Sequence, residues 1–319
     1  MASGKDIRRR IKSVNNTKKI TRAMEMVSAA KMRRAVASVV GIRPYAVSAW
    51  QILTNLARAF ESYQQGLLAV RPVKKVLIVL VTSSRGLCGS FNSQLAKKIR
   101  DELAAPEKLA INRIGHKKIE PGVDVKDLIV DFVTVGKKGE AMVRRVQKNL
   151  VAAFPELVNN LRIDNVKPLS KIVINEYLAG TYDKVVVVYT DYISAISQQT
   201  RVRQLLPISK HDIEKQISEI DTAAKDHSMP VSKIEYKVEP NPVMVLEQVL
   251  PKLIEMQLFH AILESAAAEH SARMLAMRNA TDAAAEMSGD LTFMYNQIRQ
   301  MKITQEIAEI SAGRAALEE

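Results

Sequence analysis

The fold is decided by a long stretch near the C-terminal end, residues 256–301, which reads MQLFHAILESAAAEHSARMLAMRNATDAAAEMSGDLTFMYNQIRQM. After Pro251 the chain contains no proline, and its only glycines are Gly289 and Gly313. This predicts a single helix of roughly 60 residues, about 90 Å long. Steps of three and four residues define a mainly apolar seam: Met256, Phe259, Leu263, Ala266, His270, Arg273, Met277, Ala280, Ala284, Met287, Leu291, Met294, Ile298 and Met301. A seam sustained over so many turns indicates a coiled coil.

A helix of this length needs a partner, and the N-terminal region supplies one. Residues 5–40 contain neither glycine nor proline, so they predict a helix about 54 Å long. Gly41 and Pro44 are expected to interrupt it before a second helical stretch at 46–60. Its apolar residues are mostly spaced by three or four: Ile7, Ile11, Val14, Ile20, Met24 and Val27. Since the two helices lie at opposite ends of the chain with a domain between them, we expect them to pair antiparallel.

The region between the helices has a different pattern. Apolar runs at 76–81, 128–135, 185–189 and 202–206 predict strands, whereas 92–103, 140–154 and 172–178 predict helices. Alternation of this kind is typical of a sheet covered on both faces. The predicted fold is therefore a long antiparallel coiled coil of the N- and C-terminal helices with an inserted Rossmann-like α/β domain. The predicted divisions are an N-terminal shaft helix at 1–70, the α/β domain at 71–210, a connector and foot at 211–240 and a C-terminal shaft helix at 241–319, with a surface excursion at 105–127.

Beyond Met301 the seam continues onto small and polar residues, namely Gln305, Ala308, Ala312 and Ala315. Alanine favours a helix, but this surface offers little for a second helix to bury. We expect the tip to extend past its partner helix and to be sheltered by another protein.

The formal net charge is +13, and it is concentrated at one end. Between Lys5 and Arg43 there are twelve Lys or Arg residues and two Asp or Glu residues. Such a helix fits an acidic protein surface, a nucleic acid or an anionic membrane, or it is simply a solvated face. The N-terminal segment lacks the apolar core of a signal peptide, and no apolar run approaches the ~20 residues of a membrane-spanning helix. We interpret the sequence as mature protein without a transit peptide.

The motifs of common catalytic sites are missing. The sequence has no G-x-x-x-x-G-K-[ST] motif for nucleotide phosphates, and the turn RGLCG at 85–89 lacks the G-x-G-x-x-G pattern of dinucleotide sites. The single cysteine, Cys88, cannot form an intramolecular disulfide or a thiolate zinc cluster. His270 and the methionine stripe Met277, Met287, Met294 and Met301 are interpreted as packing residues. We therefore expect no catalytic residue, metal or cofactor.

Five segments resemble the gamma subunit family of F-type ATP synthases, and the resemblance covers nearly the whole chain. They are IRRRIKSV at 7–14, TKKITRAMEMVSAAKM at 17–32, SSRGLCG at 83–89 followed by Asn92, SARMLAMRNATD at 271–282 and ITQEIAEI at 303–310. The resemblance implies a non-catalytic rotor shaft, present in one copy per complex. It implies rotation inside a hexamer of alpha and beta subunits, beside an epsilon subunit and on a ring of c subunits. It also implies a peripheral location on the cytoplasmic face of a bacterial plasma membrane.

The same resemblance implies three groups of contact residues. Contacts with the beta subunits are expected at Arg22, Met24, Lys31, Arg85, Cys88, Arg273, Arg299, Gln300, Thr304 and Glu306. A sleeve formed by the hexamer is expected to surround Ala308, Ala312 and Ala315. The foot on the c-ring is expected at Tyr236, Glu239, Pro240 and Pro242.

Two other functions fit the sequence less well. A nucleic-acid binder would use the basic helix to follow phosphates and would bind in a salt-dependent way, but the long C-terminal helix would have no role. A nucleotide-dependent enzyme would use the α/β domain, but the required glycines are missing. Neither accounts for the segment at 303–310.

Overall fold

The computed structural model describes residues 4–55, 66–114, 117–119, 127–158, 161–208 and 241–315. Its helices are α1 (Gly4–Asn55), α2 (Phe91–Ala104), α3 (Glu107–Ala110), α4 (Lys137–Arg145), α5 (Ile163–Leu178) and α6 (Pro242–Ala315), with a short 3-10 turn at Gly66–Leu68. Its strands are β1 (Lys75–Val81), β2 (Asn112–Ile114), β3 (Lys117–Ile119), β4 (Ile129–Val135), β5 (Asn149–Phe154), β6 (Lys184–Tyr192) and β7 (Gln198–Leu206). Contacts divide the chain into a coil unit, residues 1–30 with 273–319, and an α/β unit, residues 31–272.

The sheet of the α/β unit confirms the predicted Rossmann-like architecture. Its strand order is β5-β4-β1-β6-β7. The first four of these strands run parallel, and β7 runs antiparallel to β6. Successive residues of β1 point to opposite faces, and both faces are covered. Leu77 and Val79 pack with α5 and the first part of α6, whereas Ile78 and Leu80 pack with α2 and α4.

One predicted helix of this unit is wrong in its second half. Residues 140–154 were expected to be helical, but α4 ends at Arg145 and residues 149–154 form β5. Gln147 turns the chain with a positive φ of 52°. Alternate residues of β5 are exposed, which is the pattern of an edge strand paired with β4. Since alanine is common in this segment, helix propensity pointed to a helix, and strand pairing overrode it.

Three other boundaries differ from the prediction. Helix α1 continues through Gly41 and Pro44 to Asn55, so the expected interruption was wrong. Helix α6 begins at Pro242 and contains Pro251. The segment at 105–127 is not wholly a surface excursion, because Leu109 and Ala110 are buried. The buried Lys184 ammonium holds this segment in place by donating to the carbonyl oxygens of Leu109 and Ile111 at 3.0 and 2.6 Å.

The coil unit confirms the antiparallel pairing of the terminal helices. Asn15 accepts a hydrogen bond from Ser288, and Gly4 lies against Ile298, so lower numbers on α1 meet higher numbers on α6. From Arg273 onwards, the buried or half-buried residues of α6 include Arg273, Met277, Ala280, Thr281, Ala284, Ser288, Leu291, Tyr295 and Ile298. Those of α1 include Ile7, Ile11, Val14, Thr21, Met24 and Ser28.

The predicted seam is buried or half-buried as far as Ala284, and beyond it the seam is wrong at every second position. Met287, Met294 and Met301 are 54%, 49% and 63% exposed, and the neighbouring Ser288 and Tyr295 face the partner helix in place of the first two. On α1, Ile20 and Val27 are likewise exposed. Ser288 finds a hydrogen-bond acceptor in Asn15, and Tyr295 packs beside Gly4, so both fit the partner helix in place of the methionines. Every described side chain from 301 to 314 is exposed.

The Thr21–Thr281 contact gives a testable account of how this pairing is held in register. The two buried hydroxyl oxygens lie 2.8 Å apart, and Thr21 also donates to the Lys18 carbonyl oxygen. We expect Thr281→Val to lower the unfolding free energy by about 0.5–1.5 kcal/mol. The double variant Thr21→Val/Thr281→Val should regain much of this loss, because it leaves neither hydroxyl without its partner. Urea unfolding of the wild type, the two single variants and the double variant measures the coupling free energy between the two hydroxyls. Additive effects of the two substitutions would show that the hydroxyls do not stabilise each other.

Candidate partner-binding surfaces

A basic face runs along α1 in the coil unit. Heptad spacing buries Ile7, Thr21 and Ser28, which turns most of the intervening cations outwards. Exposed cations of this segment are Lys5, Arg8, Arg9, Arg10, Lys12, Lys19 and Arg22. Arg22 pairs with Glu25 at 3.0 Å while its side chain stays 60% exposed. A surface pair of this kind contributes only about 0–1 kcal/mol, so Arg22 is available to an acidic partner.

Large apolar side chains form a second exposed surface of the coil unit. On α1 these are Ile20, Met26 and Val27. On α6 they are Met287, Phe293, Met294, Met301, Ile303, Ile307 and Ile310. So many large apolar side chains exposed on one unit are typical of a surface that binds another protein. The sequence analysis quoted Ile303, Ile307 and Ile310 only within the resembling segment at 303–310, although their spacing of four and three was a readable helical stripe.

The predicted polar contacts on α6 divide into exposed and buried residues. Arg299, Gln300, Thr304 and Glu306 are all exposed. Gln300 and Thr304 line one shallow groove together with Ala308, and the Thr304 hydroxyl donates to the Gln300 carbonyl oxygen at 3.0 Å. Arg273, in contrast, is only 7% exposed. Its side chain is therefore buried and is not presented at a surface.

In the α/β unit, the turn between β1 and α2 buries Cys88 and exposes Arg85 and Leu87. Cys88 is 2% exposed and belongs to the core beneath α2. The Asn92 amide donates to the Ser83 hydroxyl at 2.7 Å and to the Cys88 sulfur at 3.2 Å, which ties the turn together. Arg85 is exposed, and Leu87 is 62% exposed with a φ of 61°. Sequence reasoning missed Leu87, since a leucine beside a cysteine looks like a core residue.

The remaining predicted contacts have mixed positions. Lys31 is exposed and Met24 is half-buried. Ala308 and Ala312 are exposed, whereas the side chain of Ala315 is outside the described set. Tyr236, Glu239 and Pro240 lie outside the described residues, and Pro242 is the first residue of α6.

The described residues were compared with the requirements of a metal site and of a membrane-spanning helix. Within the described ranges, no group of His, Cys, Asp and Glu side chains is arranged to hold a metal ion. None of the helices in the described part of the chain combines the length and apolar character needed to cross a bilayer.

Together these features define a coiled-coil protein with an α/β domain, which acts through surfaces that bind other proteins. A family model described as ATP synthase matches residues 3–317. The ATP synthase gamma chain of Roseiflexus sp. (strain RS-1) is 38% identical over 321 residues, covering 100% of both chains. That of Legionella pneumophila (strain Corby) is 36% identical over 317 residues, covering 99% of this chain and 100% of its own. The chain therefore belongs to the ATP synthase gamma chain family.

Solved structures share the fold. A chain of the Euglena gracilis mitochondrial ATP synthase rotor matches with a TM-score of 0.59 at 17% identity, covering 94% of this chain and 98% of that chain. A chain of the Tetrahymena thermophila mitochondrial ATP synthase central stalk and c-ring matches with a TM-score of 0.56 at 25% identity, covering 82% of this chain and 99% of that chain.

Proposed function

We propose that this chain is the central rotor shaft of an F-type ATP synthase. It would couple ion-driven rotation of a c-ring to conformational change at catalytic sites on the beta subunits, without making or breaking a bond itself. The observation that carries the proposal is full-length identity of 36–38% to ATP synthase gamma chains. The exposed apolar residues of the coil unit support it, because they require a surrounding partner.

The coupling would work through differences in contact energy. A coiled coil whose two helices differ in sequence presents a different surface to each of the beta subunits around it. Each catalytic site is then biased towards its open or closed state only by the difference in contact energy between those states. Exposed cations suit this task, since individual surface pairs are weak enough to break and re-form at each step.

The contact residues fall into the same three groups. Contacts with the beta subunits would be made by Arg22, Met24, Lys31, Arg85, Arg299, Gln300, Thr304 and Glu306, with Cys88 and Arg273 close by. The tip carrying Ala308, Ala312 and Ala315 would turn in the sleeve of the hexamer. Residues 211–240 would form the connector and foot, with Tyr236, Glu239, Pro240 and Pro242 on the c-ring beside an epsilon subunit. One copy would serve each complex, peripheral to the cytoplasmic face of a bacterial plasma membrane.

Reconstitution tests the proposal. Alpha and beta subunits from a closely related synthase are mixed with and without this chain, and ATP hydrolysis is measured on material that elutes as one complex. We expect one copy per hexamer and cooperative turnover that depends on the chain. Failure both to assemble and to change turnover would overturn the proposal, and salt-dependent binding to nucleic acid would then be tested.

Loss of the polar groove should impair turnover more than assembly. We expect Gln300→Ala/Thr304→Ala to lower turnover in the reconstituted complex by roughly five-fold to thirty-fold, since one or two hydrogen bonds of about 1 kcal/mol each would be lost. Thr292→Ala is the matched control, because Thr292 is exposed on α6 and its hydroxyl also donates to the carbonyl oxygen four residues earlier. Equal loss in both variants would indicate an effect on the helix rather than on a partner contact.

A further inference from the structure

The α/β unit buries a carboxyl group that has no evident structural partner. Glu264 lies on α6, where it packs against β6 and β7, and its side chain is 15% exposed. Its Oε2 atom has no hydrogen-bond partner among the described residues. The imidazole of His260, one turn earlier on the same helix, places its Nδ1 atom 3.6 Å from Oε2, too far for a hydrogen bond. An ionised carboxylate in this position would cost several kcal/mol.

The groups facing Glu264 from the sheet do not neutralise it. From β6 come Tyr189 and Asp191, and from β7 come Arg201 and Arg203. Arg201 is engaged with Asp191 at 2.9 Å, and the Arg203 guanidinium lies over the Tyr189 ring, 5.7 Å from its centroid. The Tyr189 hydroxyl is buried near the carboxyl and interacts with it only weakly, since neither this hydroxyl nor Glu264 Oε2 has a partner within strict hydrogen-bond distance and angle.

The consequence is a carboxyl group that keeps its proton. Burial, with the Asp191 carboxylate acting in the same direction, raises the pKa of Glu264 from 4.5 to about 8. Arg203 and Tyr189 oppose this shift only in part. The folded chain therefore holds this proton up to a higher pH than the unfolded chain does. The stability gained from the protonated form is complete below about 4.5 and is lost as the pH rises through about 8.

We propose that Glu264 is a proton-operated latch that seats α6 on the β6–β7 pair when protonated and loosens it when ionised. The same surfaces meet at a second point, where the Ser271 hydroxyl donates to the Ala195 carbonyl oxygen at 2.6 Å. Gln198 donates to the Ser271 hydroxyl at 3.3 Å. These bonds carry no titratable group. Ionisation of Glu264 therefore weakens the packing of α6 against β6 and β7 but does not release the helix. This loosening of α6 is a property of the folded chain itself and does not depend on the rotor function proposed above.

The test is hydrogen exchange of the full chain, read on α6 peptides covering 257–268 and corrected for the intrinsic effect of pH on exchange. We expect protection of this segment to fall roughly tenfold between about pH 7 and pH 9 in the wild-type chain. It should stay level in Glu264→Gln, which keeps the shape of the neutral acid. Glu286→Gln, at an exposed position of α6, should retain the wild-type profile.

The proposal would be overturned if hydrogen-exchange protection of this segment did not change with pH in the wild-type chain, or if it fell equally in Glu264→Gln. The unmodified chain gives a second readout that does not depend on folding of the variant. Difference infrared spectra should show the carbonyl stretch of a protonated carboxyl that disappears as the pH passes about 8. Absence of that band at neutral pH would also overturn the proposal. Neither readout involves the other subunits, so failure here leaves the proposed rotor function standing.

Discussion

The Gly136→Ala variant should lose roughly 3–5 kcal/mol of unfolding free energy, the largest loss we expect from a single methyl group in this chain. Gly136 has a φ of 90° and a ψ of 148° at the junction of β4 and α4, a conformation that is essentially confined to glycine. An added Cβ would also meet the backbone of Thr82, 2.9 Å from its carbonyl carbon and closer still to its oxygen. Urea unfolding measures the loss.

The matched control is Gly289→Ala on the exposed face of α6, where a Cβ would have no neighbour within 4 Å. This change should raise the unfolding free energy by roughly 0.5–1 kcal/mol, because alanine favours a helix. A cost below about 1 kcal/mol for Gly136→Ala would mean that the β4–α4 junction relaxes easily. The close approach between Gly136 and Thr82 would then not be a rigid feature of the sheet.

Reversing three charges on the basic face should slow assembly with the alpha and beta subunits by roughly 10-fold to 100-fold at low ionic strength. The variant is Arg8→Glu/Arg9→Glu/Arg10→Glu, all at exposed positions of α1. The reason is that charge complementarity acts mainly on the rate of encounter, and added salt screens it. The measurement is the time course of ATPase activation after mixing, at low and high ionic strength.

A control with the same change in net charge tests whether location matters. Lys97→Glu/Arg100→Glu/Lys148→Glu alters exposed cations of the α/β unit and should slow assembly far less. Equal slowing by both triple variants would show that overall charge governs encounter. No slowing by the arginine variant would remove the basic face from the proposed contact with the beta subunits.

The sheet was the most predictable part of the fold, because its inner strands are continuous apolar runs. Val76 to Val81 lie at 0–1% exposure on a strand covered on both faces, so almost every position had to be apolar. Edge strand β5 has no such requirement, and its alanines fit a helix equally well. The helix end predicted at Gly41 and Pro44 was wrong for a related reason. A single glycine or proline only lowers the local preference for a helix, and α1 continues past both residues.

The coil seam shows why residue type alone could not set the register. Methionines at 287 and 294 were the apolar choice, but Ser288 and Tyr295 occupy the interface. The pairing is decided by what the opposite helix offers: Asn15 accepts a hydrogen bond from Ser288, and Gly4 leaves room for the Tyr295 ring. The predicted contact residues came from sequence resemblance. The structure adds Leu87, whose exposure depends on a backbone turn that composition does not reveal.

One part of the coil-unit interior, around Thr21, Ser28 and Ala284, is made of small or hydroxyl-bearing side chains, and this bears on how the coil responds to force. Side chains as short as Thr21, Ser28 and Ala284 let two helix axes approach closely, and the torsional stiffness of a rod falls steeply as the rod becomes thinner. Hydroxyl contacts can also tilt with the helices, whereas interlocked large side chains would have to separate. We expect a shaft built in this way to twist elastically under torque and to return the stored work as it relaxes.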